Sequence, residues 1–262
     1  MEKGLIFFPA SEIASTPAAV GLPFEDVYIT TSDHVRINAW FVPQADAIAT
    51  VMWFHGNAGN ISHRIDQLAA MQPVLEANIL MVDYREYGRS EGAITESGSY
   101  LDAEAAFDFA QARMTTAAGK IVVYGQSLGA AVAAELALRR PVGGVILEAP
   151  FLSVQAMARA VLPWLPIGGL LATRYDLESK IGKIQSPVLI IHGNRDEIVP
   201  IAHGLRLFEL AHEPKQLYVI RGSGHNDTFI VGGREYFEVM ARFIAGDSGV
   251  SERPAPQPES AR

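Results

Sequence analysis

Hydrophobic positions along the 262-residue chain fall into two alternating kinds of run. Short runs rich in β-branched and aromatic residues lie at Asp26–Thr30, Val35–Val42, Thr50–Phe54, Ile79–Asp83, Ile121–Tyr124, Gly144–Leu147, Val188–Ile191 and Leu217–Ile220, and each predicts a strand. The last six are nearly continuous in apolar residues instead of alternating, which is the pattern of parallel strands buried on both faces. Helical spacing occupies Ile61–Ala77, Ser99–Met114, Leu128–Arg140, Ala202–Ala211 and Gly233–Ala245. Strand and helix repeated in this way predict an α/β fold: a mostly parallel, twisted sheet of eight strands with helices on both faces. No longer period repeats, so solenoids and propellers are set aside.

Two segments break the rhythm. Between about residues 151 and 186, Pro163-Trp164-Leu165-Pro166 and Gly168-Gly169 interrupt apolar helical pieces, which predicts a short helical cap inserted over the carboxyl edge of the sheet. Residues 247–262 carry Pro254, Pro256 and Pro258 among Ser and Glu, and are expected to be disordered outside a single domain spanning 1–246.

Composition narrows the function classes. Hydrophobic residues make up 49% and charged ones 19%, as in a folded globular protein. With 21 Lys and Arg against 29 Asp and Glu, the net charge of −8 offers no cationic field to a phosphate backbone, so nucleic acid is not an expected partner. The absence of Cys removes disulfides, thiol nucleophiles and thiolate metal sites together, and suits a reducing, cytoplasmic location. No apolar run approaches the ~20 residues of a membrane helix. The apolar patch within Met1–Pro9 is shorter than the ~7–15-residue core of a signal peptide, and reads as a first strand or a surface-packing segment. A peripheral membrane contact, or an anchor upstream of this segment, stays open.

The chemistry begins at Gly125-Gln126-Ser127-Leu128-Gly129. This stretch follows the strand Ile121–Tyr124 and opens the Ala-rich helix Leu128–Arg140, the strand-turn-helix context that a G-x-S-x-G nucleophile elbow requires. A side chain at either Gly would meet backbone, while Ser127 is pushed to the sheet edge with the free amides of the helix start beside it. A serine at neutral pH needs a base, and the base needs a group that holds its tautomer. Asp196 follows the strand Val188–Ile191, and His225 follows the last strand in the Gly-rich loop Gly222–Asp227, so all three share one sheet edge. Taken singly, Asp196 reads as a turn or cap residue and His225 as a loop histidine. Agreement of three post-strand positions favours a Ser127, Asp196, His225 relay. Of the other histidines, His34 falls in a hairpin, His55 opens a Gly-rich loop, His63 and His203 open helices, His212 ends one, and His192 ends its strand too early to serve as base. Glu148, one strand before Asp196, is the alternative acid.

An oxyanion hole takes one amide from Leu128 and a second from a loop after an earlier strand. His55-Gly56-Asn57-Ala58-Gly59-Asn60 follows Thr50–Phe54, and the second donor is assigned to Asn57, with Ala58 as alternative. The loop lacks the lysine of a phosphate-binding G-x-x-x-x-G-K-[ST]. The charged run Asp83–Gly92 is read as structural, with Asp83 and Arg85 tying neighbouring loops. No zinc-ligand pattern such as H-E-x-x-H occurs, and neither a metal nor another cofactor is expected.

Together with Tyr84-Arg85-x-Tyr87-Gly88-x-Ser90-x-Gly92, Glu148-Ala149-Pro150-Phe151 and Gly193-x-x-Asp196-x-x-Val199-Pro200, these motifs resemble the α/β-hydrolase superfamily. Within it they are most similar to small serine hydrolases that include bacterial esterases and membrane-anchored protein depalmitoylases. The likeness spans roughly residues 5 to 245. It implies the α/β-hydrolase fold, the triad Ser127, Asp196 and His225, and the Asn57 and Leu128 amides as oxyanion donors. One departure is Glu86, where relatives commonly carry Gly. Another is the N-terminal anchor of many relatives, which these residues do not show.

The reading that follows is a serine carboxylesterase-like hydrolase cleaving esters or thioesters of apolar acyl groups, with Leu162, Trp164 and Leu165 of the cap lining the acyl pocket. The same triad could cleave an amide, a peptide or a carbon–carbon bond. The alternative of another class is a catalytically silent binding protein.

Overall fold

Each strand that the hydrophobic pattern predicts is present, and their order in the sheet creates the site. The computed structural model describes residues 3–113, 120–161 and 172–247. The strands are β1 (Glu25–Thr30), β2 (Arg36–Val42), β3 (Ala49–Phe54), β4 (Ala77–Val82), β5 (Lys120–Gln126), β6 (Gly144–Glu148), β7 (Val188–Gly193) and β8 (Lys215–Ile220). They hydrogen-bond in the order β8-β7-β6-β5-β3-β4-β2-β1. β3 to β8 are parallel, and β2 runs antiparallel to both β1 and β4. After β3 the chain builds outward to β4, then returns to place β5 on the other side of β3. This reversal opens a crevice at the carboxyl ends of β3 and β5, where ligands of open α/β sheets bind.

Helices cover both faces. α1 (Ile65–Leu75) and α7 (Thr228–Ala245) pack on one, where Val51, Trp53, Ile79, Met81, Val122, Tyr124, Ile146, Leu189 and Ile191 of the strands meet Leu68, Met71, Tyr236 and Met240. The alternate strand residues, Met52, Phe54, Leu80, Val82, Val123, Val145, Leu147, Val188 and Ile190, face the other side with α2 (Glu96–Ala112) and α3 (Leu128–Arg139). Strands whose two faces are both apolar explain why the sequence shows continuous runs there. β8 departs from that expectation: as the edge strand, it is only half-buried over most of its length. α3 is lined with buried Ala130, Ala131, Ala133 and Ala134, which lets the helix approach the strands closely.

The segment between β6 and β7 carries α4 (Val154–Val161) and α5 (Glu178–Ile181), before α6 (Ile201–Leu210) follows β7. Leu177, Ile181 and Ile184 are fully buried in the core of the α2 and α3 face, so this part is anchored into the domain. Leu162, Trp164 and Leu165, expected to line an acyl pocket, lie outside the described residues, as does the tail from residue 248. At the N-terminus, Phe8–Pro9 pairs in parallel with Ala58–Gly59, and Phe7 is buried; the segment docks against the loop after β3. No described helix is long and apolar enough to cross a membrane.

The loop after β4 is held by a buried ion cluster, in keeping with the structural role expected for Asp83 and Arg85. Arg85 Nε and Nη2 donate to Asp102 Oδ1 at 3.0 and 2.9 Å, while Nη1 and Nη2 donate to Asp33 at 2.7 and 3.0 Å. The Arg85 and Asp102 side chains are only 7% and 0% exposed. Removing one partner of a buried pair strands the other charge, at a cost of about 3–5 kcal/mol. Arg85→Ala, which leaves the fully buried Asp102 carboxylate without its guanidinium, is therefore expected to lower the urea midpoint by that equivalent. Arg206→Ala, which breaks only exposed pairs with Glu178 and Glu209, should leave the midpoint at its wild-type value.

Candidate active site

The turn from β5 into α3 is forced by contact between backbones. Ser127 adopts φ 50° and ψ −110°, a conformation that β-branched and bulky residues avoid. A Cβ on Gly125 would lie 2.1 Å from the carbonyl oxygen of Gly129, and one on Gly129 would lie 2.0 Å from that of Phe54 at the end of β3. Only glycine fits at either position. The elbow is pinned further by Ser127 N–H donating to Glu148 O at 2.8 Å and Ala130 N–H to Ser127 O at 3.0 Å.

Two loops bring Asp196 and His225 together. Asn194 N–H donates to Ile220 O at 3.1 Å, Arg195 N–H to Ser223 O at 2.9 Å, and Gly222 N–H to Asn194 Oδ1 at 2.7 Å. The loops touch so closely that a Cβ on Gly193 would sit 2.4 Å from Ser223 O. Asp227 shapes the His225 loop, since its Oδ1 accepts from Gly224 N–H at 2.8 Å and Ser223 Oγ at 2.9 Å. Within this frame His225 Nδ1 donates to Asp196 Oδ2 at 2.7 Å, so that in the neutral imidazole Nε2 is the nitrogen able to accept. Asp196 Oδ1 accepts the amides of Ile198 and Val199 at 2.9 and 2.7 Å. Burial alone would raise the Asp196 pKa, but hydrogen bonds from His192 and His225 outweigh it and hold the carboxyl well below the usual range. His192 stands behind the acid: its Nε2 donates to Val199 O at 2.9 Å and lies 3.4 Å from Asp196 Oδ2.

Ser127 and His225 line one cavity of about 170 Å³, together with Gly56, Glu148, Arg64 and Phe229. Asn57 and Leu128 are not among its lining residues, but each directly follows one that is. A Cβ on Gly56 would be 3.8 Å from Ser127 Cβ, so the Gly56–Asn57 peptide runs alongside the serine. The Asn57 side chain is turned elsewhere, donating to Ile6 O and accepting from Tyr87 OH at 3.1 Å, which leaves its backbone amide as the group suited to an oxyanion. His55 fixes that peptide: its Nδ1 donates to Gly56 O at 2.6 Å, and its Nε2 lies 3.2 Å from Asp83 Oδ1 in a fully buried contact.

Glu148 belongs elsewhere. Its carboxylate accepts from Tyr124 OH, from Gln126 Nε2 at 3.0 Å, from Tyr236 OH at 2.6 Å and from Thr228 Oγ1, and none of these bonds reaches His225. Burial raises Tyr124 and Tyr236 well above the ordinary phenol range, so both remain donors. The supporting roles of His192, His55, Asp227 and the Glu148 cluster were not singled out from the sequence, whereas Asp83 was read there as tying neighbouring loops. Their only signal there is a polar residue at the end of an apolar strand or helix.

The comparisons agree with this fold. Residues 45–167 match the Hydrolase_4 family, described as serine aminopeptidase, S33. The α/β hydrolase domain-containing protein WAV2 of Arabidopsis thaliana is 36% identical over 249 residues, covering 87% of this chain and 81% of WAV2. Protein bem46 of Schizosaccharomyces pombe is 33% identical over 261 residues, covering 93% of this chain and 86% of bem46. The chain belongs to the α/β-hydrolase superfamily. Its fold is also that of the Pyrococcus furiosus esterase Pf2001, which superposes with a TM-score of 0.75 at 22% identity over 92% of this chain and 100% of the esterase chain.

This α/β hydrolase accommodates Glu86 at a cost in backbone strain. Glu86 sits at φ 75°, in the left-handed region that favours glycine. Its carboxylate accepts the Ile94 amide at 2.7 Å and pairs with Lys3, so the side chain ties the N-terminal segment to the loop after β4.

Two outcomes follow for the hydrolase site. Gly129→Ala would drive a methyl group into Phe54 O, and is expected to lower stability by at least about 1–3 kcal/mol in denaturant titration, because backbone must move. The folded-state pKa of Asp196 lies below its ordinary 3.8, so its stabilisation is complete above that pH and is lost progressively as pH falls further. Asp196→Asn should flatten the stability curve below about pH 4, as followed by urea midpoints.

Proposed function

We propose that this α/β hydrolase cleaves carboxylic esters, thioesters included, through a serine-bound acyl intermediate. The observation that carries the proposal is the 2.7 Å His225–Asp196 hydrogen bond at the rim of the cavity that holds the strained Ser127. With Nδ1 committed to the carboxylate, His225 Nε2 takes the Ser127 hydroxyl proton as Oγ attacks the ester carbonyl carbon. The carbonyl oxygen, now negative, is held by the Asn57 and Leu128 amides. Collapse expels the alcohol or thiol, which collects the proton from the imidazolium. Water, deprotonated by the same imidazole, then releases the acid and regenerates the serine. Asp196 stays ionised throughout, and stabilises the imidazolium that forms in both halves. The Gly56–Asn57 peptide, locked by His55 from behind, contributes a donor that needs no reorganisation as charge develops.

Esters of p-nitrophenol graded in acyl length test the reading. Wild type should turn them over, with Ser127→Ala down at least ~10³-fold and Asp196→Asn down on the order of 10⁴-fold. A fluorophosphonate should label wild type at Ser127 only. Folded wild type that neither labels nor turns over esters would return the chain to the class of silent binding proteins, and turnover surviving in Ser127→Ala would move the chemistry elsewhere.

A further inference from the structure

We infer that the substrate of this hydrolase carries an oxyanion, a carboxylate or a phosphate, which Arg64 binds while the scissile carbonyl lies against Ser127. The inference rests on the serine-hydrolase reading above and adds the substrate class to it. Arg64 closes the short helical turn Ile61–Arg64 that leads into α1, and it lines the cavity shared by Ser127 and His225. Its Nη2 donates to Ala58 O at 3.0 Å, which anchors the guanidinium and leaves its other N–H groups for a ligand.

Arg64 lines the cavity of Ser127 and has no countercharge within 4.0 Å, a combination that no other described arginine has. Arg36, Arg85, Arg89, Arg113, Arg139, Arg140, Arg206 and Arg234 each have a carboxylate oxygen within 4.0 Å. Among the described residues, no such partner reaches Arg64, although it is half-buried. Taken partly out of water, its guanidinium has a lowered pKa, with burial the leading cause and the electrostatics of Tyr124 and Glu148 opposing it. A half-desolvated cation without a partner is a cost to the free protein that a bound anion removes, and the guanidinium fork matches carboxylate and phosphate alike.

The other charged or titratable groups on the cavity wall leave room for that anion. Glu148 lines the cavity with the serine, and four donors occupy it: Tyr124, Tyr236, Gln126 and Thr228. Asp66 is exposed to solvent, which screens it. His63 Nδ1 accepts the Asn60 amide at 3.2 Å, so its Nε2 carries the proton and offers a second donor on the same wall. His225 presents its imidazole from the opposite loop and is assigned to Ser127. A carboxylate or phosphate is therefore the group that the wall lacks.

Paired esters test this directly. Within each pair the molecules differ only in a carboxylate replaced by its carboxamide, placed in one pair on the acyl group and in another on the phenol leaving group; a third pair sets a phosphate monoester against the free hydroxyl. Wild type is expected to favour the anionic member of at least one pair about tenfold or more in kcat/KM, carried mostly in KM. Which pair responds identifies both the side of the ester and the kind of anion. In Arg64→Gln that ratio should fall to about one, while Arg64→Lys should retain part of it. Because each ratio is taken within one protein, partial misfolding of a variant cancels. A wild-type ratio near one in all three pairs, or a preference that survives Arg64→Gln, overturns the assignment of Arg64. Fluorophosphonate labelling of Ser127 keeps the two readings apart: labelled protein without anion preference loses only this inference, and unlabelled protein without turnover loses both.

Discussion

The structure depends on how closely three backbones meet beneath Ser127. Gly129 brings α3 to within a contact of Phe54 O that no side chain could share, and Gly125 lets the last residues of β5 curl under the helix start. That approach joins β3 and β5, the two strands between which the chain reverses direction across the sheet. It places the serine where its own φ is positive, its hydroxyl at the cavity and the first amides of α3 beside it. The alanine face of α3 serves the same end, since larger residues would hold the helix away from the strands. Strain at one residue is retained because the surrounding packing over-determines it.

Everything else at the rim is built on loops, and loops need ties. The chain supplies them in pairs. The loops after β7 and β8 exchange backbone and Asn194 hydrogen bonds, so Asp196 and His225 are placed by one unit. The loops after β3 and β4 are joined by Asp83 Oδ1 accepting the Ile61 amide at 2.9 Å and by Tyr84 OH donating to His55 O at 2.9 Å. The N-terminal segment braces this second pair from outside, through its short parallel bridge and the Asn57 side chain. A site made of loops is thereby given something near the rigidity of the strands that carry them.

Much of this was legible in the chain. Continuous apolar runs located the parallel strands because both sheet faces are covered, and the glycines of the elbow announced themselves because nothing else fits there. Ser127, Asp196 and His225 were read as candidates from their places after strands, where chemistry-bearing residues of α/β folds collect. The supporting residues were not, for a physical reason. His192, Tyr124, Gln67 and Tyr236 sit in strands or helices whose spacing marks them as interior, and an interior polar residue shows its purpose only through its partner. Gln67 is a case in point: it donates to Tyr124 OH and Tyr236 OH at 2.9 and 3.1 Å, residues 57 and 169 positions away. β8 read as a fully buried strand because its apolar run is as continuous as the others, while its exposure follows from being last in the sheet, a property of order and not of composition.

The site holds two histidine–aspartate pairs, one on each side of the serine, and their surroundings divide the labour between them. His55 and Asp83 are 1% and 0% exposed, with the imidazole bonded to Gly56 O on one edge and 3.2 Å from the carboxylate on the other. A carbonyl can only accept, so Nδ1 donates to it. Buried and outside the cavity lining, this pair holds a peptide in place. His225 has one nitrogen bound to Asp196 and the other free, and its 10% exposure lies at the cavity. The same two residue types thus give a fixed strut behind the Gly56–Asn57 amide and, in the mechanism proposed here, a base beside the hydroxyl. Burial and partner count, and not residue identity, assign the roles.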